Sequence, residues 1–321
     1  MKKLLALGLV ALLLIGAGLW FIQGWNGAGP AAKPTPVVIA AGSSMVKAAN
    51  TLEQAGVIAS AERFLFQAKL FGGGKSIKAG EYEFPARASH AAVLSILQSG
   101  KTLQRMVTVP EGMPSVLVHE RLMQAPALTG AVPVPEEGSV LPDSYSYGRG
   151  ESRAAVLARM QAAMTKTLDA LWAKKGPNSV VNSKREAVIL ASIVEKETGK
   201  ASERPMIAGV YSNRVRIGMK LDADPTVIYP ITKGRPLGRR IRQSELRANN
   251  GYNTYAMAGL PAGPIANPGK ESIAAVMNPA QTQALYFVAD GTGGHVFANS
   301  LAEHNANVQK WFAIRRARGE M

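Results

Sequence analysis

The chain of 321 residues contains no cysteine. This absence excludes a disulfide scaffold, a metal or iron–sulfur site with cysteine ligands, a cysteine nucleophile and a lipid-modified cysteine anchor. Acidic residues are also few, because 22 Asp and Glu stand against 37 Lys and Arg, for a net charge of +15. The excess of positive charge favours a polyanionic partner, such as nucleic acid, anionic lipid or an acidic polymer. Since 47% of the residues are hydrophobic, the chain as a whole is not disordered.

An uncharged segment of 19 residues, Leu4–Ile22, follows Lys2 and Lys3. As a helix it would span roughly 28 Å, close to the ~30 Å hydrocarbon core of a bilayer. The sequence therefore predicts a single transmembrane helix over residues 1–22. The two lysines place the N-terminus in the cytoplasm and the rest of the chain outside it.

A cleaved signal peptide is the alternative, because the small residues at 27–32 could accept a peptidase. Trp20, Phe21 and Trp25 instead match an interfacial aromatic belt, which favours a retained anchor. Residues 23–36 are rich in Gly, Ala and Pro and predict a spacer. Without the two N-terminal lysines, 35 basic and 22 acidic side chains remain, net +13, and they face lipid headgroups or a cell wall rather than the genome.

A small block after the spacer has the pattern strand, helix, helix, strand. A strand is expected at Val37–Ala40, helices start after Ser44 and Ser60, and a closing strand covers Ala79–Phe84. We expect this first domain to cover residues 37–105 and a larger domain to cover residues 106–321. The predicted fold class is α+β.

The segment Asn182–Gly199 is the most informative part of the larger domain. Ser183 followed by Glu186 is a capping-box pattern, and Gly199 is the expected helix stop. Residues 187–194 are apolar or small on every face, so the helix should be largely buried. Its last turn presents two carboxylates, which is unusual for a buried helix.

The carboxyl groups of Glu195 and Glu197 are both expected to bind a proton more readily than an exposed carboxyl near neutral pH. Burial raises the pKa of a carboxyl, and the negative end of the helix disfavours its charge. The two lie about 200° apart around the helix and cannot share a face. The small Ala191–Ser192 pair would leave room for a ligand beside Glu195, whereas Ile193–Val194 would crowd Glu197, so Glu195 is the predicted acid. The structural alternative is that Glu197 pairs with an arginine and Glu195 is solvated.

Downstream polar loops rich in Gly, Pro, Tyr and Asn fit sugar binding or, equally, structural turns. Neither HExxH spacing nor a GxSxG, Walker A or GxGxxG framework is present. We therefore expect no metal and no cofactor.

Several motifs together resemble the YceG-like (MltG) endolytic murein transglycosylases. The matching motifs, in chain order, are LASIVEKET at 190–198, NR at 213–214, DPTVIY at 224–229, YNTY at 252–255, GLP at 259–261, PG at 268–269 and GGH at 293–295. The likeness covers nearly the whole chain, with a LysM-like first block. Ala262 departs from it, since many members have a second proline there.

The resemblance implies that Glu195 is the catalytic residue. It would protonate the leaving oxygen between N-acetylmuramic acid and N-acetylglucosamine, then take the proton of the muramyl C6 hydroxyl, giving a 1,6-anhydro end without water. One group acting as acid and then base needs no second carboxylate. Residues expected to bind the glycan are Glu197, Asn213, Asp224, Tyr252 and Asn253, with Glu197 also in reserve for catalysis.

The sequence thus predicts a single-pass protein of the cytoplasmic (inner) membrane, with its catalytic domain outside the cytoplasm and peptidoglycan strands as its substrate. The resemblance also makes peptidoglycan synthases candidate partners, without identifying which ones. The competing hypotheses are a noncatalytic wall-binding scaffold and, on net charge alone, a nucleic-acid binder.

Overall fold

A computed structural model of the chain describes residues 16, 18, 21 and 23–320. Helices and short strands are mixed along the chain, which confirms the α+β class. The chain divides into two units. The first comprises the residues up to Arg105 together with Tyr147–Gly150, and the second comprises Met106–Ser146 together with the residues from Glu151 onward. No helix of the described residues is long and apolar enough to cross a membrane. Most of the predicted transmembrane helix over Leu4–Ile22 lies outside the described residues.

The first unit contains the predicted order of strand, helix, helix and strand. Its elements are β1 (Thr35–Ile39), α1 (Met45–Gln54), α2 (Ala61–Phe71), β2 (Gly80–Phe84) and α3 (His90–Ser99). The two strands are antiparallel, with Val37 opposite Tyr82. Ser44 and Ser60 cap α1 and α2 because each hydroxyl accepts a backbone N–H from the first helical turn. The apolar faces close over a core that includes the fully buried Phe64.

The remaining elements follow in chain order. They are β3 (Arg105–Thr108), α4 (Ser115–Gln124), β4 (Ser144–Tyr147), α5 (Arg153–Trp172), α6 (Lys184–Glu197), a 3₁₀ turn (Ala201–Glu203), α7 (Arg204–Arg216), α8 (Asp224–Thr232), α9 (Gln243–Leu246), α10 (Lys270–Met277), β5 (Tyr286–Ala289), β6 (His295–Ala298) and α11 (Leu301–Ala317). β3 pairs with β4, and β5 pairs with β6. The core of the second unit lies where α6, α7 and α10 pack together.

Helix α6 is the predicted buried helix of the second unit. The Ser183 hydroxyl accepts the Glu186 N–H at 3.1 Å, as a capping box requires. A capping box predicts that the Glu186 carboxylate accepts the N–H of Ser183. It instead accepts the N–H of the preceding residue, Asn182, at 2.7 Å. Every residue from Ala187 to Glu195 is buried, so α6 is the central helix of this core.

The expected helix stop at Gly199 lies just after the observed end of the helix. Helix α6 ends at Glu197, and Thr198 already has extended backbone with φ −136°. The Thr198 hydroxyl accepts the Lys200 N–H at 2.9 Å, so the chain leaves the helix on a side-chain hydrogen bond rather than on a left-handed glycine.

The loop rich in Gly and Pro before α10 is held by a buried asparagine. The Asn267 side chain accepts the Val140 N–H at 3.0 Å and donates to the Met113 carbonyl at 2.9 Å. Its backbone carbonyl accepts the Gly112 N–H at 3.0 Å. Because Asn267 is fully buried, these bonds fix the loop against the turn at 110–114, and the Asn267 amide has a structural role.

Candidate functional site

Glu195 and Glu197 lie on different sides of α6, as the helical geometry requires. The Glu195 side chain is only 4% exposed, and its Oε1 lies 3.1 Å from the Arg204 guanidinium. Its Oε2 accepts the Gly269 N–H at 2.8 Å. Arg204 in turn contacts Glu111 at 2.7 Å. Both oxygens of Glu195 are therefore engaged by other groups of the protein.

The expectation that Ala191 and Ser192 leave room for a ligand beside Glu195 is wrong. Both residues are fully buried, and the Ser192 hydroxyl accepts the Ile265 N–H at 3.1 Å. The loop that precedes α10 occupies this space, because small side chains let a second backbone segment approach the helix closely. A sequence window around Glu195 cannot show this, since the loop lies more than 70 residues further along.

Glu197 instead lines a cavity of about 430 Å³ in the second unit. Eight other side chains with rings or charges line it: Tyr211, Arg214, Asp222, Asp224, Tyr255, Tyr286, Phe287 and His304. The Oε1 atom of Glu197 is buried and has no hydrogen-bond partner among the described residues. Such an orphan oxygen next to a cavity is available to a ligand.

The charge of Glu197 is set mainly by burial. Burial raises the pKa of the Glu197 carboxyl to about 7, and the negative charge of Asp224 acts in the same direction. A hydrogen bond from Tyr211 and the positive charge of Arg214 oppose this rise. Near neutral pH the group exists in both protonation states, so it can give a proton and take one back.

The groups around Glu197 are held firmly. The Tyr255 hydroxyl donates to Asp224 Oδ1 at 2.7 Å. Arg214 donates to the Leu285 carbonyl at 2.6 Å and to the Leu221 carbonyl at 2.8 Å. These hydrogen bonds fix the positions of the charged side chains around the cavity and help to keep the cavity open.

The far wall of the cavity is aromatic. The His304 ring stacks on Tyr286 at 5.2 Å between centroids, and the Arg214 guanidinium lies 5.4 Å from the same Tyr286 ring. Burial and the charge of Arg214 lower the pKa of His304, so its imidazole is neutral around pH 7. Flat rings beside hydrogen-bonding groups suit the faces and hydroxyls of a sugar.

Of the predicted binding residues, the structure brings Asp224 to Glu197 and places Asn213 elsewhere. The Asn213 amide donates to the carbonyls of Thr282 and Ala284 at 2.8 and 3.0 Å. Its oxygen accepts from Arg216 at 2.8 Å. Asn213 thus connects α7 to the segment before β5 and does not line the Glu197 cavity.

Tyr252 and Asn253 also lie outside the Glu197 cavity. The Tyr252 ring packs 5.0 Å from that of Tyr229. Asn253 is fully buried, and its amide nitrogen donates to three carbonyls, those of Glu245, Leu246 and Ala248. Its oxygen accepts the Tyr255 N–H at 2.9 Å, so Asn253 supports the cavity by fixing Tyr255.

Sequence reasoning missed Tyr211 and Tyr286 and gave Arg214, Tyr255 and His304 no role in the site. Tyr211 and Arg214 are three apart on α7 and so share a face, a local signal that was available. Tyr286 and His304 come from a strand and a distant helix, and no spacing in the sequence joins them to Glu197.

A larger cavity of about 560 Å³ is lined by Glu111, Lys196, Arg235 and mainly apolar side chains. Its charges are largely paired, Glu111 with Arg204 and Arg235 with Glu120. The smaller cavity contains Glu197, whose pKa burial raises to about 7, and this carboxyl makes it the better site for proton transfer. The described residues hold no group of three or more His, Asp or Glu that could bind a metal ion.

A partly buried carboxyl with a pKa of about 7 at the edge of a cavity can act as a general acid or base. The chain belongs to the YceG-like family, whose model matches residues 37–310, which confirms the resemblance. The endolytic murein transglycosylase of Streptococcus pneumoniae is 29% identical, over 86% of this chain and 58% of that protein. The chain therefore spans less than two thirds of the length of this relative.

A second relative and a solved structure are consistent with this family assignment. The endolytic murein transglycosylase of Bacillus subtilis is 26% identical, over 86% of this chain and 84% of that protein. A crystal structure of a YceG-like protein from Listeria monocytogenes is similar with a TM-score of 0.53 and 28% identity, covering 85% of this chain and 98% of that one.

Proposed function

We propose that this protein is an endolytic peptidoglycan lytic transglycosylase. The observation that carries the proposal is Glu197, a carboxyl whose pKa burial raises to about 7, with one unpartnered oxygen at an open cavity. The relatives named endolytic murein transglycosylase support the substrate class. The proposed bond is the one between N-acetylmuramic acid and N-acetylglucosamine within a glycan strand.

In the proposed reaction, protonated Glu197 donates its proton to the glycosidic oxygen as the bond from muramyl C1 to that oxygen breaks. The carboxylate then accepts the proton of the muramyl C6 hydroxyl while O6 bonds to C1. Glu197 ends protonated, no water is consumed, and the products are a 1,6-anhydromuramyl end and a free N-acetylglucosamine hydroxyl. A single carboxyl with a pKa near 7 suits both steps.

This assignment moves the acid–base role from Glu195 to Glu197. Each Glu195 oxygen already accepts a hydrogen bond, one from Arg204 and one from the Gly269 N–H, and Glu195 does not line the Glu197 cavity. Glu197 faces the cavity already. Within the proposal, Tyr211 orients Glu197, while Asp224 holds Tyr255 in place for the substrate.

The cellular setting is part of the same proposal. We infer that the uncharged Leu4–Ile22 segment anchors the protein in the cytoplasmic membrane, with both units outside the cytoplasm facing the wall. The strand–helix–helix–strand arrangement of the first unit supports a LysM-like, glycan-binding role for residues 37–105. Peptidoglycan synthases are the proposed neighbours.

Digestion of purified sacculi, followed by mass spectrometry of the soluble fragments, tests the chemistry. The expected products carry 1,6-anhydromuramyl ends, and Glu197→Gln should release at least about 10²-fold less material while remaining folded. Reducing muramyl ends would identify a hydrolase instead. Sacculus binding without cleavage by the wild-type chain would identify a noncatalytic scaffold.

A further inference from the structure

Helix α2 of the first unit carries an exposed apolar surface. Phe66 is 59% exposed, Leu70 58% and Phe71 47%. Phe66 and Leu70 are four residues apart and so are neighbours on one face of the helix. Phe71 lies about 140° around the helix from Phe66, but the Phe21 ring contacts both of them. Single exposed apolar residues are common, whereas exposed apolar side chains joined in this way indicate an interaction. We call Phe66, Leu70 and Phe71 the α2 apolar surface.

This surface continues into the aromatic residues at the end of the uncharged N-terminal segment. The Phe21 ring lies 5.5 Å from that of Phe66 and 6.0 Å from that of Phe71. The Trp25 ring lies 5.5 Å from that of Phe71. The Gln67 amide donates to the Phe21 carbonyl at 3.0 Å. The chain that leaves the uncharged segment is therefore held against α2.

Basic residues border the α2 apolar surface. With about 100° between successive helix positions, Arg63 and Lys69 lie on either side of Phe66 and Leu70. Long basic side chains can bury their methylenes beside apolar groups and place their charge among lipid headgroups. One acidic residue, Glu62, shares this side of the helix.

We propose that the α2 apolar surface lies in the interfacial layer of the bilayer that the Leu4–Ile22 segment enters. This inference rests on the membrane location proposed above. Lipid is the occupant because the segment that reaches the bilayer contacts this surface through Phe21. Aromatic side chains with flanking basic residues are also the composition that membrane interfaces favour. The first unit is then held on the membrane by a second contact, which limits its freedom beyond what a spacer alone would allow.

The strands supply a matched control position. Val37 and Ile39 are buried in the core, whereas Val38 between them is 44% exposed. Because side chains alternate along a strand, Val38 points to the outer face of the sheet, away from the helices that cover the inner face. A label there belongs to the same unit but not to the α2 apolar surface.

Site-specific fluorescence in proteoliposomes tests the proposal. The chain has no cysteine, so the full-length variants Phe66→Cys, Leu70→Cys and Val38→Cys each take one environment-sensitive label. In vesicles of phosphatidylcholine and phosphatidylglycerol, labels at 66 and 70 should emit at shorter wavelength than the label at 38. Brominated lipid should quench them at least about twofold more strongly than the control.

The contrary outcomes are distinct. Equal quenching at 66, 70 and 38 in protein that floats with the vesicles overturns the lipid contact and leaves the anchor standing. Short-wavelength emission without bromolipid quenching also overturns it, because protein would then cover the surface. Failure of the full chain to float with vesicles overturns both the anchor and the surface contact.

Discussion

The Glu195 carboxylate accepts the backbone N–H of Gly269, 2.8 Å away. Gly269 is the residue before the first turn of α10, so the negative charge lies at the positive end of that helix. On its other side the same carboxylate meets Arg204. Glu195 therefore joins α6, α7 and α10 at the centre of the second unit, whereas Glu197 lines the cavity.

Replacing Glu195 with Gln should destabilise the protein without abolishing the chemistry. Among the described residues the change leaves the buried Arg204 with Glu111 as its one acidic partner, and breaking a buried ion pair costs about 3 kcal/mol. We expect the free energy of unfolding in urea to fall by that amount, while folded variant still releases anhydro fragments. In the control variant Glu136→Gln, whose partner Arg185 is 60% exposed, the loss should stay below about 1 kcal/mol. Complete inactivity of well-folded Glu195→Gln would return the catalytic role to Glu195.

Glu197 should make the protein less stable as the pH rises. Its carboxyl keeps a proton up to a pKa of about 7 in the folded state, against 4.5 ordinarily. The folded state thus binds more protons between these values, and its stability falls as pH increases across that window. Glu197→Gln lacks this loss, so above pH 7 it should be more stable than wild type by about 3 kcal/mol. Thermal unfolding of both proteins between pH 4 and 8 measures this difference in stability. The difference should decrease as the pH is lowered. A constant gap would mean that the Glu197 carboxyl is not protonated by burial.

Asp224→Asn should shift the pH dependence of cleavage. The negative charge of Asp224 helps to raise the pKa of Glu197, so its removal lowers that pKa. The protonated acid is then lost at lower pH, and the alkaline fall in the rate of sacculus digestion should begin at more acidic pH. The amide oxygen of asparagine can still accept from Tyr255, which limits structural change.

Asp222→Asn is the matched control for this charge effect. Asp222 lines the same cavity and lies 3.7 Å from Arg214, but it is not among the groups that set the pKa of Glu197. Its pH profile should match that of wild type. Equal shifts in the two variants would show that the profile reports the overall charge of the cavity rather than the Asp224–Glu197 interaction.

Ser192→Ala should weaken the attachment of the loop to α6. The change removes the acceptor of the buried Ile265 N–H, and an unsatisfied buried donor costs about 1–3 kcal/mol. Chemical denaturation should show that loss. The comparison is Ser272→Ala, because the Ser272 hydroxyl is buried with no partner among the described residues. Its removal should be neutral or stabilising, and similar losses in both variants would contradict the role given to the Ser192 bond.

Local structure around the two glutamates was largely predictable. The start of α6 follows from Ser183 and Glu186, which satisfy backbone N–H groups within a few residues of themselves. The α+β class and the order of elements in the first unit follow from equally local patterns of caps and glycine breaks. The helix ends at Glu197, two residues before the predicted stop at Gly199, and the chain leaves it on the Thr198 side-chain hydrogen bond rather than on a left-handed glycine.

The sequence alone determined that two carboxylates end a buried helix and face different directions, because 100° per residue is a local property of the helix. Only the tertiary structure decided which of them meets a cavity. The loop around Ile265 and Gly269 fills the space beside Glu195, whereas Tyr211, Asp224 and His304 surround an opening at Glu197. Those contacts join segments that are far apart in the chain. They bury Glu197, and this burial raises the pKa of its carboxyl to about 7. A local sequence pattern does not specify such burial.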